Sequence, residues 1–433
     1  MFLHGLSHRR RGGGRLHRAG GSQSSHHKRQ RLASVVVLDR LLDDSYDRAV
    51  RQNLVPLTVT RIVANTGYRF APPFIAIIAG AEQGFDVSIA DVGVIISVSE
   101  LAGFLAPLLG TFVDRVSRRT AMAVGLAGAF VGIMLMAIAP NLVVLCVGLT
   151  LVNLLKSCFD LGMAAWISDR VPYERRGRVV GLTETSWALS LLVGVSLLGL
   201  VTAVSTWRVA CAIGGVSIAG CALWLDRRLR ESGEIVRAAS HESAPAGKMT
   251  RRAWLVPISM FGLMGGAQCI FVTFGAWLAD EFDFGASRIA LVGFALGIGE
   301  LVSSTSSARL TDRIGKERSV ALGSLLMIPS ALLLAAFDTW LVVGLLGLAV
   351  FIIGFEYGVV SMLPLATQLV ESAPGKGFGL VIGVGTFGRG VLTIVATTLY
   401  EDRGIAGAAL SGIACAVLSA VAVSAFARTT RRA

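Results

Sequence analysis

The sequence predicts an all-α integral membrane protein of twelve transmembrane helices in two six-helix pseudo-symmetric halves. Three observations carry that expectation. The 433 residues are 54% hydrophobic and only 16% charged, with mean hydropathy +0.68, too apolar for a water-soluble chain of this length. Apolar runs recur that are long enough for a helix to cross a hydrocarbon core of about 30 Å, which takes roughly 20 residues. Finally, a charged turn, Asp114-Arg115-Val116-Ser117-Arg118-Arg119, returns as Asp312-Arg313-Ile314-Gly315-Lys316-Glu317-Arg318, 198 residues later (312 minus 114). Gly125 and Gly323 stand at the same offset, so the duplication runs on into the following span.

The first six runs lie near 55–79, 92–112, 120–139, 142–168, 179–201 and 207–225, and the second six near 254–279, 289–310, 319–337, 340–369, 377–399 and 404–427. They divide the chain into a basic tail over 1–53, a helical half over 54–225, a linker over 226–253, a second half over 254–427 and a short tail over 428–433. The first tail holds Arg9-Arg10-Arg11, Gly12-Gly13-Gly14 and five of the six histidines; it has too little apolar surface to fold alone and is expected to be disordered. Residues 32–51 read either as a basic amphipathic helix on anionic lipid or as sequence upstream of the true start. An apolar h-region near the start is lacking, so no cleavable signal peptide is expected.

A net charge of +12 alone would suit a nucleic-acid partner, but its distribution points to lipid instead. Of the 40 Lys and Arg, 33 fall in the first tail, the even-to-odd loops, the linker and the C-terminus, against Arg208, Arg288 and Arg403 in the opposite loops. This bias predicts both termini in the cytoplasm of a cell whose inner membrane holds the protein. The six cysteines sit in apolar spans without a CxxC pair and read as small core residues. No GxxxxGK, and no GxGxxG after a strand, is present, so neither a nucleotide nor a metal cofactor is expected.

Charges inside the spans follow a period of three. Spans three, six, nine and twelve have none away from their ends, whereas Arg61 and Arg69 fall in span one, Glu100 in two, Lys156 and Asp160 in four, Glu184 in five, Glu300 in eight, Glu356 in ten and Arg389 in eleven. Every third helix is then a lipid-facing support while the others line a polar interior. At roughly 3 kcal/mol each near the bilayer centre, nine ionised groups facing lipid would cost on the order of 25 kcal/mol, so they must be paired, hydrated or protonated. Five carboxylates against four bases leave one acid in excess, to be neutralised by a proton or hydrated. Lys156 and Asp160, spaced i,i+4, share a helical face. Glu100 lies about 12 Å, and Arg389 about 15 Å, below the outer ends of their spans at 1.5 Å per residue; they are expected either to meet across the halves or to pair each within its own. Of the aromatics, Tyr68, Trp187 and Tyr357, beside Arg69, Glu184 and Glu356, are candidate ligand contacts, whereas Trp166 and Trp277 read as interfacial anchors.

Gly110-Thr-Phe-Val-Asp114-Arg115-Val-Ser-Arg118-Arg119 resembles the loop between spans two and three of the major facilitator superfamily, and its copy over 308–318 lies between spans eight and nine, as that family's duplication implies. Ser117 stands where the family has glycine, and Ala308 and Glu317 replace a glycine and a base. The resemblance covers about 54–427. It implies the major facilitator fold and a cytoplasmic gate made of Gly110, Asp114, Arg115, Arg118 and Arg119 with Asp169 and Glu174, repeated by Asp312, Arg313, Lys316 and Arg318 with Glu371; no HExxH, paired Cys or Ser/His constellation appears in the spans, so no enzymatic activity is expected. The family implies that these latches stabilise the outward-facing state.

Lys156-x-x-x-Asp160, Glu184-Thr-Ser-Trp187, Gly299-Glu300-Leu301 and Phe355-Glu356-Tyr357 are similar to features of prokaryotic drug:proton antiporters, although span five reads Gly194-Val-Ser-Leu-Leu-Gly199 where that branch has a Gly-Pro pair. The expectation is a monomeric secondary transporter without cofactors, working by alternating access. Its partners would be membrane lipid, protons and a small-molecule substrate. Proton coupling falls to Glu300, Glu184, Glu100, Asp160 or Glu356, and substrate or ion-pair contact to Arg61, Tyr68, Arg69, Lys156, Trp187 and Arg389. Efflux of a small organic or amphipathic compound is the first reading, uptake of a small organic anion the second, and a non-transporting receptor a minor third.

Overall fold

The computed structural model describes residues 42, 46–231, 250–369 and 374–430. Most of the tail expected to be disordered, much of the linker and Glu371 lie outside the described residues. The described residues from Gln52 onward form one compact unit.

Helix α1, Arg48–Arg69, begins several residues before the apolar run, because Arg48, Arg51 and Gln52 are compatible with a solvated helical turn. It ends beside Pro72 and Pro73, which lack an N–H and open a short 3-10 turn over Pro72–Phe74 before α2, Ile75–Ala79. Arg69 thus sits in the last turn of α1, where a cation suits the helix dipole. The second span is also broken. Helix α3, Ile89–Leu101, opens on a capping box of Ser88 and Asp91. A 3-10 turn over Ala102–Leu105 then joins it to α4, Ala106–Arg115, which carries Pro107 in its first turn. In both spans the break follows a buried charge, Arg69 or Glu100, within about one turn.

Helix α5, Arg118–Ile138, explains the departure at Ser117: its hydroxyl accepts from Thr120 N as the N-cap. In the second copy Gly315 holds φ 96°, a conformation that suits glycine. Helices α6, Leu142–Arg170, and α7, Tyr173–Leu189, follow. The fifth span passes through a π-turn over Ser190–Val195 into α8, Ser196–Val204, and α9, Trp207–Glu231, closes the first half. The second half holds α10, Leu255–Phe282; α11, Ala286–Ile314; α12, Lys316–Ala336; and α13, Leu341–Gln368. Its last element, α14, Pro374–Thr430, is interrupted at Gly404 (φ 59°, ψ −154°), which separates spans eleven and twelve.

Twelve spans result, although only nine helices among the described residues pass a test of length and hydropathy. Spans eleven and twelve run together through Gly404 and count once.

The charge-free helices pack mainly within their own halves, α5 on α6 and α9, and α12 on α13 and α14. The repeat-related glycines set the closest approaches. A Cβ at Gly125 would stand 2.5 Å from Phe159 N on α6, and one at Gly323 would stand 2.6 Å from Gly354 O on α13.

Between the halves, packing is concentrated at the end that carries Asp91, Asp280 and Glu401, here called the acidic end. There α3 packs on α14, α8 and the π-turn pack on α11, and the Pro72–Phe74 turn packs on α10. Glu401 Oε1 accepts from Ala90 N at 2.8 Å, so the second half caps the first turn of α3. Toward the opposite, basic end, glycines on three spans, Gly110, Gly181 and the pair Gly379 and Gly383, have open space before them.

Gly297 holds α11 against the π-turn: a Cβ there would lie 2.5 Å from Leu192 Cα and N, backbone that cannot yield. Gly297→Ala should therefore wedge spans five and eight apart and lengthen spin-label distances between the halves at the acidic end. Gly181→Ala, which meets nothing within 4 Å, should leave them alone. Unchanged distances in Gly297→Ala would show that this contact does not hold the halves together.

Candidate functional site

The interior charges gather where the two halves meet. On the first half, Arg61 Nε lies 3.1 Å from Asp160 Oδ1 and its Nη1 lies 2.8 Å from Glu184 Oε1, so one guanidinium on α1 ties α6 to α7. Lys156 Nζ stands 2.7 Å from Asp160 Oδ2 within α6. Closer to the acidic end, two ion pairs cross between the halves. Arg69, from α1, donates to both carboxylate oxygens of Glu300 on α11 at 2.9 and 2.6 Å, a bidentate arrangement that only a planar guanidinium supplies. Arg389 Nη2, from α14, lies 3.1 Å from Glu100 Oε1 on α3. Glu100 and Glu300 occupy nearly repeat-related places on spans two and eight, so each half contributes one carboxylate and one arginine to this pair of braces.

Aromatic side chains fill the space between them. Arg69 lies over the rings of Trp187 at 4.7 Å and Phe271 at 5.0 Å. Lys156 Nζ lies 5.2 Å from both Tyr68 and Trp187, geometry suited to cation–π attraction. Tyr68 Oη also donates to Glu100 at 2.8 Å. The π-turn enters here as well: beginning at Ser190, it loosens the ladder of span five, and Arg69 Nη1 donates to Trp187 O just before it, at 2.8 Å.

Exposure grades along the site. The side chains of Arg69 and Glu300 are 4% and 1% exposed, whereas Glu184 is 41% exposed although it points inward to Arg61. Among the paired carboxylates Glu184 is thus the most open, and Glu300 and Glu100 are the most enclosed.

The arithmetic of four bases and five acids resolves on one residue. Each base engages a carboxylate among Glu100, Asp160, Glu184 and Glu300. Glu356 on α13 has no base within ion-pair distance among the described residues and is 5% exposed. Its Oε1 accepts from Ser304 Oγ at 2.6 Å, and Ser304 lies one turn beyond Glu300 on α11.

Several sequence candidates lie elsewhere. Tyr357, weighed as a ligand contact, turns its hydroxyl to Ser319 on α12 at 3.3 Å, because the neighbour of an inward Glu356 on a helix faces away from it. Trp166 stacks with Arg170, and Trp277 Nε1 donates to Asp338 O at the acidic end. At the basic end Arg118 Nε meets Asp169 Oδ2 at 2.9 Å, and Arg119 Nε meets Asp226 Oδ1 at 2.6 Å, a partner the charged motif did not reveal. Arg115 closes α4, Arg313 sits in the last turn of α11, and Lys316 and Arg318 open α12. The side chains of Asp114, Glu174 and Asp312 lie outside the described residues, as does the Glu371 partner. Ser304, Phe271, Trp187 O and Asn153 join the site without a sequence signal, since a lone Ser, Phe or Asn in an apolar span carries none.

Two six-helix bundles, joined by buried ion pairs around a polar cleft, define a multi-pass helical membrane protein with an internal site. Residues 57–397 match the model of the Major Facilitator Superfamily, and the chain belongs to that family. It is similar to an uncharacterized MFS-type transporter, YwfA, of Bacillus subtilis (strain 168), 29% identical over 251 residues, 56% of this chain and 60% of that protein. It is also similar to the class C tetracycline resistance protein of Escherichia coli, 26% identical over 242 residues, 53% of this chain and 60% of that protein. These matches span less than two thirds of the relatives' length. Among solved structures, a bacterial homolog of the human lysosomal transporter Spinster, inward-facing and unoccupied, shares the fold with TM-score 0.69 at 13% identity, covering 89% of this chain and 98% of that one.

Proposed function

We propose that the protein is a secondary transporter that exchanges protons for a small organic or amphipathic compound by rocking its two halves about the charged cleft. The observation that carries this reading is the pair of ion pairs, Arg69 with Glu300 and Glu100 with Arg389, that joins the two halves across the interior. Rigid halves can part there only if both braces break, and they re-form when the halves close. The distribution of Lys and Arg supports an orientation with the basic end and both termini on the cytoplasmic side of the inner membrane.

Charge decides the coupling. With every base paired, ionised Glu356 leaves the site one negative charge in excess. A proton or a cationic group on the substrate neutralises it, and the two exclude each other. Mutual exclusion at one site, combined with alternating access, is exchange: a proton entering from outside favours the state that has released its substrate. Efflux follows from the inward proton gradient, and the likeness to the tetracycline resistance protein agrees with export. Uptake of a small anion remains the second reading, supported by Arg69 and Arg389, each of which could exchange its carboxylate for one on a ligand. Among the described residues, the gate pairs Arg118 with Asp169 and Arg119 with Asp226 link segments of the first half.

The test is purified protein in sealed vesicles carrying an internal pH dye, with an imposed pH gradient and a panel of amphipathic cations and organic anions. Cations that drive proton movement in the opposite direction support the reading. Protons moving together with anions instead would establish the second reading, and no solute-linked proton movement at all would remove both.

A further inference from the structure

Next to the Glu100 brace the first half encloses a cavity of about 10 Å3. Its polar lining is Tyr68, Ser99, Glu100 and Asn153, and its apolar wall includes Leu149 and Val152. Asn153 is 5% exposed, and its Nδ2 has no hydrogen-bond partner. A buried amide left unpaired costs roughly 1–3 kcal/mol, and a polar cavity of this volume admits about one water. A metal cation does not suit the place, because Arg389 and Lys156 already stand on Glu100 and over the Tyr68 ring.

We propose that the chamber binds a single ordered water, held by Asn153 and shared with Tyr68 and Glu100, that solvates Glu100 from its own half when Arg389 is withdrawn. The proposal rests on the rocking motion argued above. Tyr68, Ser99, Asn153 and the water all belong to spans one, two and four and travel with Glu100, whereas Arg389 belongs to the other half. Without such a companion, parting the halves would leave Tyr68 Oη as the one donor to the Glu100 carboxylate among the described residues. Either orientation of the Asn153 amide suits a water, which both donates and accepts. Asn153 is on this view a positioning residue that lowers the cost of breaking the brace.

Infrared spectra of the protein in lipid, in ordinary water and in water enriched in oxygen-18, should show a buried water stretch that shifts with the isotope. It should vanish in Asn153→Leu, which keeps the branching but replaces the amide by bulkier methyl groups that crowd the chamber, and persist in Asn153→Ser. Transport in Asn153→Leu should fall about tenfold with the melting temperature held, and Asn153→Ser should recover most of it. An isotope-sensitive band that survives Asn153→Leu, or transport unaffected by that change in an active protein, overturns the proposal. If the wild type moves no solute yet shows the Asn153-dependent band, the chamber stands and the transport reading falls.

Discussion

Glu300→Gln is expected to cut transport at least about a hundredfold, the largest effect of any single change, because it strands the Arg69 guanidinium, 4% exposed, between α1 and α11. Removing one partner of a buried pair costs about 3–5 kcal/mol, and each 1.4 kcal/mol is tenfold in an equilibrium. The cation keeps Trp187 O and the rings of Trp187 and Phe271, so the loss should fall at the lower end of that range. Two further variants separate stability from switching. Arg69→Met combined with Glu300→Leu replaces the pair by apolar side chains, which is often neutral or stabilising, so thermal stability should return. Transport should not, because a greasy contact in that place favours one state and offers no exchange of partners. The swap Arg69→Glu with Glu300→Arg should restore part of the rate, although the cation then loses its seat against Trp187. Melting temperatures and vesicle transport on the same preparations decide the matter. Full activity in the apolar double variant would mean that the brace is only scaffold.

What the sequence showed, and what it hid, divides along the range of the interactions. The repeat was visible because duplication leaves it at one fixed offset, and Gly125 with Gly323 proved to mark the same close helix approach in both halves. Interior charges were legible because lipid makes each one expensive, so their absence from every third span is a signal about orientation. Lys156 with Asp160 could be read from helix geometry alone. Depth arithmetic made Glu100 and Arg389 candidates for one another, and the structure brings them to 3.1 Å. Arg69 with Glu300 had no such pointer: the two are 231 residues apart, and their meeting depends on how two bundles dock. The π-turn at Ser190–Val195 was equally hidden, since Gly194 to Gly199 suggests close approach but not a wider turn. The breaks after Arg69 and Glu100 had prolines to announce them, Pro72, Pro73 and Pro107, yet the apolar runs continued through and masked them. Counting charges gave a surplus acid, but only geometry could say that Glu356 is the one without a base.

That residue supports the second large effect. Glu356→Gln is expected to uncouple the protein: accumulation driven by a pH gradient should disappear, while exchange of labelled for unlabelled substrate at equal pH continues within about threefold of the wild type. The amide keeps the volume and can still meet Ser304 Oγ, 2.6 Å from Glu356 Oε1, and no base is stranded because none is paired with Glu356 among the described residues. Compare Glu100, Asp160, Glu184 and Glu300, each of which holds a cation whose loss would confuse coupling with stability. Neutralising Glu356 fixes the site at zero net charge, the state that a proton creates, so the remaining cycle no longer responds to pH across the range in which the wild type does. Vesicle transport measured from pH 5.5 to 8.5, with and without a gradient, reads both properties at once. Gradient-driven accumulation that survives in Glu356→Gln would assign the proton to one of the paired carboxylates, Glu184 first, since its 41% exposure makes it the carboxylate of the four that the cleft wets most.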